Sequence, residues 1–151
     1  MDDYIAGIRG AWLGEQLGFA VFMARAEAEQ DAALAAKWRS LAELEQVTGE
    51  HMASVLKAHG EMPGEAPLVD WENEAFQTYL TLPHRDVMNY MRGRVISALE
   101  DFESLLAAAP EADQESVRFL VDHELALLTF IDQEASGGED SLAGVQELLD
   151  R

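Results

Sequence analysis

Apolar residues recur every three or four positions along almost the whole chain, the period of a helix with one buried face. Valine, isoleucine and threonine are sparse, and no alternating stretch is long enough for a strand. The pattern predicts four long helices. The first runs from about Asp3 to Gln30, with Ile5, Ile8, Trp12, Phe19, Phe22 and Ala26 on its apolar row and Asp2 or Asp3 placed to cap it. The second runs from about Ala32 to His59, with Leu34, Trp38, Leu41, Met52 and Val55 in its row, and stops at Gly60. The third, about Asp86 to Ala109, carries Met88, Met91, Val95, Leu99, Phe102 and Leu106 and ends before Pro110. The fourth, about Glu111 to Ala135, is the most apolar and ends at Gly137-Gly138. A short tail helix from Ser141 to Leu149 puts Leu142, Val145 and Leu149 on one side.

The connections define the architecture. Only a few residues join the first helix to the second and the third to the fourth, so each pair is expected to be an antiparallel hairpin. About 25 residues separate the second helix from the third, a length uncommon in a compact domain unless it has a task. A helix of 27 residues is about 40 Å long, and a connection of that size can return the chain to the end from which it started. The middle two helices would then be parallel. Trp71, Phe76, Tyr79 and Leu80 are placed to pin this crossover, in part as a short helix. The expected fold is all-α: one domain spanning residues 1–151, a four-helix bundle with one long crossover and a short C-terminal helix.

Composition narrows the function. The 151 residues contain no cysteine, four histidines, 29 acidic and 10 basic side chains, a net charge of −19. An apolar fraction of 48% is too high for a disordered acidic tail. The charge argues against nucleic acid and against an anionic membrane surface as partners. Without cysteine there is no disulfide framework, thiolate nucleophile or thiolate-ligated metal. The start, Met1-Asp2-Asp3, is acidic rather than basic, and Arg9, Glu15 and Arg25 interrupt the apolar stretch Ile5–Ala26, so neither a signal sequence nor a membrane span is expected and a cytoplasmic setting is.

Most of the acids dress solvated faces, but several fall on apolar rows. Glu15 lies between Trp12 and Phe19, Glu45 between Leu41 and Met52, Glu103 between Leu99 and Leu106 with Glu100 a turn earlier, and Glu124 between Val121 and Leu128 with His123 beside it. A lone charge in a bundle core is costly unless neutralised, paired or bound to a metal. Counting from the turns places Glu15 and Glu45 about 21–24 Å from one end, and Glu100 and Glu124 about 18 Å from the other. In a bundle of about 40 Å these levels coincide near the middle. One acid from each helix at one level is the layout of a carboxylate-bridged two-metal site, which wants a glutamate from each of two helices and a Glu-x-x-His pair from each of the others.

Three stretches resemble the ferritin-like superfamily, closest to rubrerythrin-type bacterial domains, over about residues 4–135. They are Leu13-Gly14-Glu15-Gln16, the run Leu41 to Thr48, and Glu100-Asp101-Phe102-Glu103; Asp122-His123-Glu124-Leu125 is similar in character to the family's fourth helix. The resemblance implies a ferritin-like bundle and a di-iron centre that reacts with oxygen or peroxide or stores iron, with manganese as the other candidate metal. It departs from the family where the histidines belong. Position 48 is Thr, Leu120 stands three residues before His123, and Leu127 stands three after Glu124. His51, six residues from Glu45, is about 240° around the helix from it and does not restore the pair. What the motifs leave is a carboxylate site with one histidine, a mononuclear site, or a relic.

The plainer readings stand beside these. Glu15 is a ligand or a groove-edge residue, and Glu124 is a ligand or the partner of an inward Arg92, Arg94 or Arg118. His123 is a ligand or a satisfied core histidine. His51, His59 and His84 read as surface or loop residues, the methionines as core filler, and the tryptophans as packing. Haemerythrin-like chemistry lacks its histidine pairs, and nucleophilic catalysis lacks a histidine near any serine. Gly7, Gly10, Gly14 and Gly18 form a small-residue row suited to close helix approach within the bundle or between subunits. Two functions follow: a metal-binding oxidoreductase holding its metal through Glu15, Glu45, Glu100 or Glu103, His123 and Glu124, or a non-catalytic bundle with a decayed site acting as a homodimer.

Overall fold

Asp31 separates the first two helices. Its carboxylate accepts from the backbone N–H groups of Ala33 (2.9 Å) and Leu34 (3.2 Å), satisfying two donors that no helical carbonyl can reach. In the computed structural model, which describes residues 1–151, α1 covers Asp2–Ala28, α2 Ala32–Ala58, α3 Glu74–Thr81, α4 His84–Ala108, α5 Gln114–Ser136 and α6 Ala143–Leu149. A single 3-10 turn, Glu111–Asp113, leads into α5, and no strand is present. Left-handed residues at Gly60 and Gly137 end α2 and α5. Neither Asp2 nor Asp3 caps α1; the helix begins at Asp2 with no side-chain cap. No helix is long and apolar enough to cross a membrane.

The side-chain pairs fix the directions. Lys37 near the start of α2 meets Glu134 near the end of α5 at 2.7 Å. His59, just past α2, meets Asp113, just before α5, also at 2.7 Å. These two helices are therefore antiparallel. A methyl group at Gly7 would strike the side chain of Leu105, so the start of α1 lies against the end of α4. It follows that α2 and α4 run parallel, an arrangement that the connection from His59 to Pro83 makes possible.

That connection is held at one end by a cation that sequence periodicity does not mark. The buried guanidinium of Arg25 donates to the backbone carbonyls of Tyr79 and Leu82 and pairs with Glu29 at 2.9 Å. Tyr79 is buried against Phe22. Trp71, expected to pin the crossover, is instead exposed and packs on Phe76.

The core is divided. One cluster of 19 buried residues, around Phe22, Trp38, Leu41, Met91, Leu127 and Phe130, fills one half of the bundle. A second of 10, around Ile8, Trp12, Met52, Leu56 and Leu120, fills the other. Along α1, α2 and α5 the break between them falls at Glu15, at Glu45 and Thr48, and at His123 and Glu124. The two halves are thus separated by one polar layer. α4 lines the layer with less cover: Met88, Met91 and Val95 are buried, whereas Leu99, Phe102 and Leu106 are only half-buried. α1 packs along its length on α2, and α4 on α5, but α1 and α4 touch sparingly.

Candidate metal centre

Each member of the polar layer is positioned by ordinary helix geometry. Glu15 follows Ala11 and Trp12 on the buried stripe of α1, and Glu45 follows Leu41 and Ala42 on that of α2. α5 is so apolar on this side that both of its adjacent residues, His123 and Glu124, are buried. The four side chains are buried to between 0% and 6% relative exposure.

They converge on one nitrogen. Nε2 of His123 lies 3.2 Å from Oε1 of Glu15, 3.3 Å from Oε1 of Glu124 and 3.6 Å from Oε2 of Glu45. None of these approaches is aligned as a hydrogen bond, and Nε2 and the second oxygens of Glu15 and Glu124 are buried without a partner. The other ring nitrogen, Nδ1, is committed to the carbonyl of Leu120, one turn back on the same helix. That bond orients the ring and aims Nε2 at the acids. The ring of Phe102 lies over the histidine, with centroids 6.1 Å apart and planes tilted by 31°.

The room for the carboxylates comes from two glycines. A Cβ at Gly18 would lie 3.1 Å from Cδ of Glu45, and one at Gly49 would lie 3.4 Å from Cβ of Glu15. α1 and α2 approach here as larger residues would not allow, and the Glu45 carboxylate occupies the gap left at Gly18. The row read from Gly7 to Gly18 does not act as a unit. Gly7 meets Leu105, Gly18 meets Glu45, and Gly10 and Gly14 face open space.

Electrostatics mark the layer as strained. Burial raises the Glu124 carboxyl from 4.5 to about 7; the His123 charge opposes this rise and Glu15 adds to it. Burial would lower the His123 imidazole, but the Glu15 and Glu124 carboxylates outweigh it and hold it at about 9. Three acids around one imidazole leave more negative charge than the histidine can balance.

Glu100 and Glu103 do not join them: both are exposed. The apolar face of α4 runs through Met91, Val95, Ala98 and Phe102, and at 100° per residue Glu100 and Glu103 point away from it. Their height along the bundle matches; their angle does not. No arginine reaches Glu124 either, since Arg92 pairs with Asp132 and both Arg94 and Arg118 are exposed. Thr48, where the family motif has histidine, is fully buried and donates to the Leu44 carbonyl at 2.8 Å.

The remaining histidines are not loose surface residues. His59 shares Oδ2 of the buried Asp113 with the Tyr4 hydroxyl, at 2.7 and 2.8 Å. His84 lies 2.8 Å from Glu134, opposite Lys37. His51 stacks on Phe119 with centroids 4.2 Å apart. Asp113 gave no periodic signal because it sits in a turn, and Glu134 gave none because its cover comes from Lys37 of α2 and His84 of α4.

A cavity of about 410 Å³ opens beside the centre, in the gap between α1 and α4. Glu15, Glu45 and Glu124 close one side of it, and Phe76 and Tyr79 of α3 cover part of the rest. Comparison of the chain with protein-family models, curated proteins and solved structures gave no match.

Proposed function

We propose that the chain is a ferritin-like bundle whose polar layer holds a single iron or manganese ion for non-haem redox chemistry. One observation carries this reading. Oxygen atoms of Glu15 and Glu124 and a nitrogen of His123 lie within 4.8 Å of one another, all buried. Each of the two acids keeps a second buried oxygen without a partner. Glu45 adds a further carboxylate oxygen from the facing helix. The donor set of nitrogen and carboxylate oxygen suits either metal. The ferritin-like assignment draws its support from the two hairpins, the long crossover and the single polar layer at mid-height.

One ion is favoured over two because α4 offers no donor. A two-metal carboxylate centre of this type draws ligands from all four helices. Here Phe102 and Ala98 stand where α4 would supply them. The chain's own contributions are distinct. Glu15, Glu45 and Glu124 would neutralise the cation. His123, with Nδ1 held by Leu120, would offer the Nε2 lone pair once its proton is displaced. Phe102 limits water at the ring, and the cavity gives a small reactant access. When bound, iron or manganese would supply one-electron redox chemistry.

The test is metal analysis of protein expressed with both metals in excess, together with melting curves. About one ion per chain and a higher Tm are expected. Metal-free protein with no thermal response to Fe(II) or Mn(II) overturns the reading.

A second reading rests on the raised imidazole pKa. A charged His123 among the acids, with Glu124 protonated, is a metal-free ion cluster inside a non-catalytic bundle that works as a homodimer. It requires that Glu15→Gln, which removes the main counter-charge of His123, lower the stability of the metal-free protein, and that the chain dimerise in light scattering.

A further inference from the structure

The cavity beside the polar layer has two chemically different ends. Its inner side holds the three carboxylates, and its walls include Val21, Phe22, Met91, Val95, Phe102 and Leu127. Its rim carries Arg94, which is exposed and lies over the ring of Tyr90 at 5.7 Å. Cations are scarce in this chain, 10 against 29 acids. Arg9, Arg25, Lys37, Arg92 and Arg151 are each paired with a carboxylate. Arg39, Lys57, Arg85, Arg94 and Arg118 have no such partner, and of these only Arg94 lines the cavity, where it meets the hydroxyls of Tyr90, at 3.5 Å, and Tyr79. A guanidinium without a carboxylate partner at the mouth of a cavity with apolar walls is a receptor for an anionic head, and a planar fork suits a carboxylate best.

The dimensions set the size of the guest. Arg94 precedes Phe102 by eight residues, about 12 Å along α4. The volume of about 410 Å³ equals that of roughly 14 liquid waters. Charge sets the direction. The inner carboxylates repel an anion, so the head stays at Arg94 and the apolar body points inward along Val95, Ala98 and Phe102. A neutral or cationic guest would leave Arg94 unused.

We propose that this cavity binds an amphipathic monocarboxylate of about a dozen non-hydrogen atoms, a medium-chain fatty acid or a compound of that shape, with its head on Arg94 and its tail toward the polar layer. The site needs no metal, so it stands or falls separately from the metal-centre reading.

The test is calorimetric titration of the full chain with decanoate, decanol and decyltrimethylammonium, each below its micelle concentration, with and without chelator. Decanoate is expected to bind saturably at one site, with or without chelator, and more tightly than the other two. Arg94→Ala should weaken decanoate about tenfold or more while leaving decanol unchanged. Arg94→Lys should recover part of the loss. Ala98→Trp, with helicity checked by circular dichroism, should block both decanoate and decanol. The proposal is overturned if decanoate shows no saturable binding, if the cation binds best, or if Arg94→Ala leaves decanoate affinity unchanged. Decanoate binding that appears only with metal also overturns it, and would place the head on the ion.

Discussion

Two buried groups in this bundle each join a histidine to carboxylate chemistry, and they differ in one respect. At the end of the bundle, Asp113 faces two donors, the Tyr4 hydroxyl and the His59 imidazole, and its buried oxygen is satisfied by both. At the middle, three carboxylates face one imidazole nitrogen, and three buried polar atoms of Glu15, His123 and Glu124 are left without partners. Donors outnumber acceptors at the first group, and acceptors outnumber donors at the second. The first explains itself as a clamp between α1, the end of α2 and the start of α5. The second has donor atoms to spare for another cation. The ratio of donors to acceptors, rather than the presence of histidine and acid, separates a structural cluster from a candidate metal centre.

The largest effect is expected from metal. Saturation with Fe(II) or Mn(II) at about a thousand times Kd should add ~4 kcal/mol, a rise of about 10 °C in Tm for a chain of this size. Chelation should reverse it, and scanning calorimetry reads both. A Tm that ignores metal makes the two groups equivalent.

Next is Asp113→Ala, which orphans two donors at once. Denaturant unfolding should show a loss of about 2–3 kcal/mol, with the metal response intact. Glu124→Gln should behave oppositely. It removes a buried acid that is already hard to ionise, so the metal-free protein should unfold at the same or slightly higher denaturant, while the metal-induced rise shrinks sharply. A large loss of metal-free stability in Glu124→Gln would mean that the acid is satisfied without a cation.

The pH dependence distinguishes them further. Glu124 has a folded pKa of about 7 against an ordinary 4.5, so its contribution is full below 4.5 and is lost as pH rises toward 7. His123 has a folded pKa of about 9 against an ordinary 6.5, so its contribution is full below 6.5 and is lost as pH rises toward 9. Both signs agree. The metal-free Tm should fall steadily from pH 5 to pH 9, and the gain from metal should grow over the same range as protons cease to compete. A metal-free Tm that is flat or rising over that range contradicts the assignment. The smallest effect is expected from Glu100→Gln and Glu103→Gln, each within about 0.5 kcal/mol and without influence on metal content, because both side chains are solvated.

The sequence was most legible where one periodic signal repeats over many turns. The four long helices, the short hairpin turns and the long crossover could all be read from apolar spacing, prolines and glycines, since a helix that buries one face must show it every three or four residues. Within the polar layer, Glu15, Glu45 and Glu124 were marked by sitting between large apolar residues, and His123 by standing beside one of them. Glu100 and Glu103 looked equivalent along the chain. An error of one residue in phase turns a side chain by 100°, enough to move it from core to solvent, and the half-buried Leu99 and Leu106 gave the wrong phase. Asp113, Glu134 and Arg25 had no periodic signature, because each depends on partners from distant segments: Tyr4 and His59, Lys37 and His84, and the carbonyls of Tyr79 and Leu82.

What the amino-acid order determined by itself is the set of helices, their lengths, and the height at which charge interrupts the core. These depend on local propensity and on distances along one helix, both fixed by covalent connectivity. The tertiary structure alone decided which charges meet. Rotation about each helix axis, the close approach at Gly18 and Gly49, and the sparing contact of α1 with α4 are set by packing between helices. That packing placed Glu15, Glu45, His123 and Glu124 around one point, turned Glu100 and Glu103 outward, and left the cavity bordered by Arg94. Sequence spacing measures position along an axis; only the assembled bundle measures angle about it.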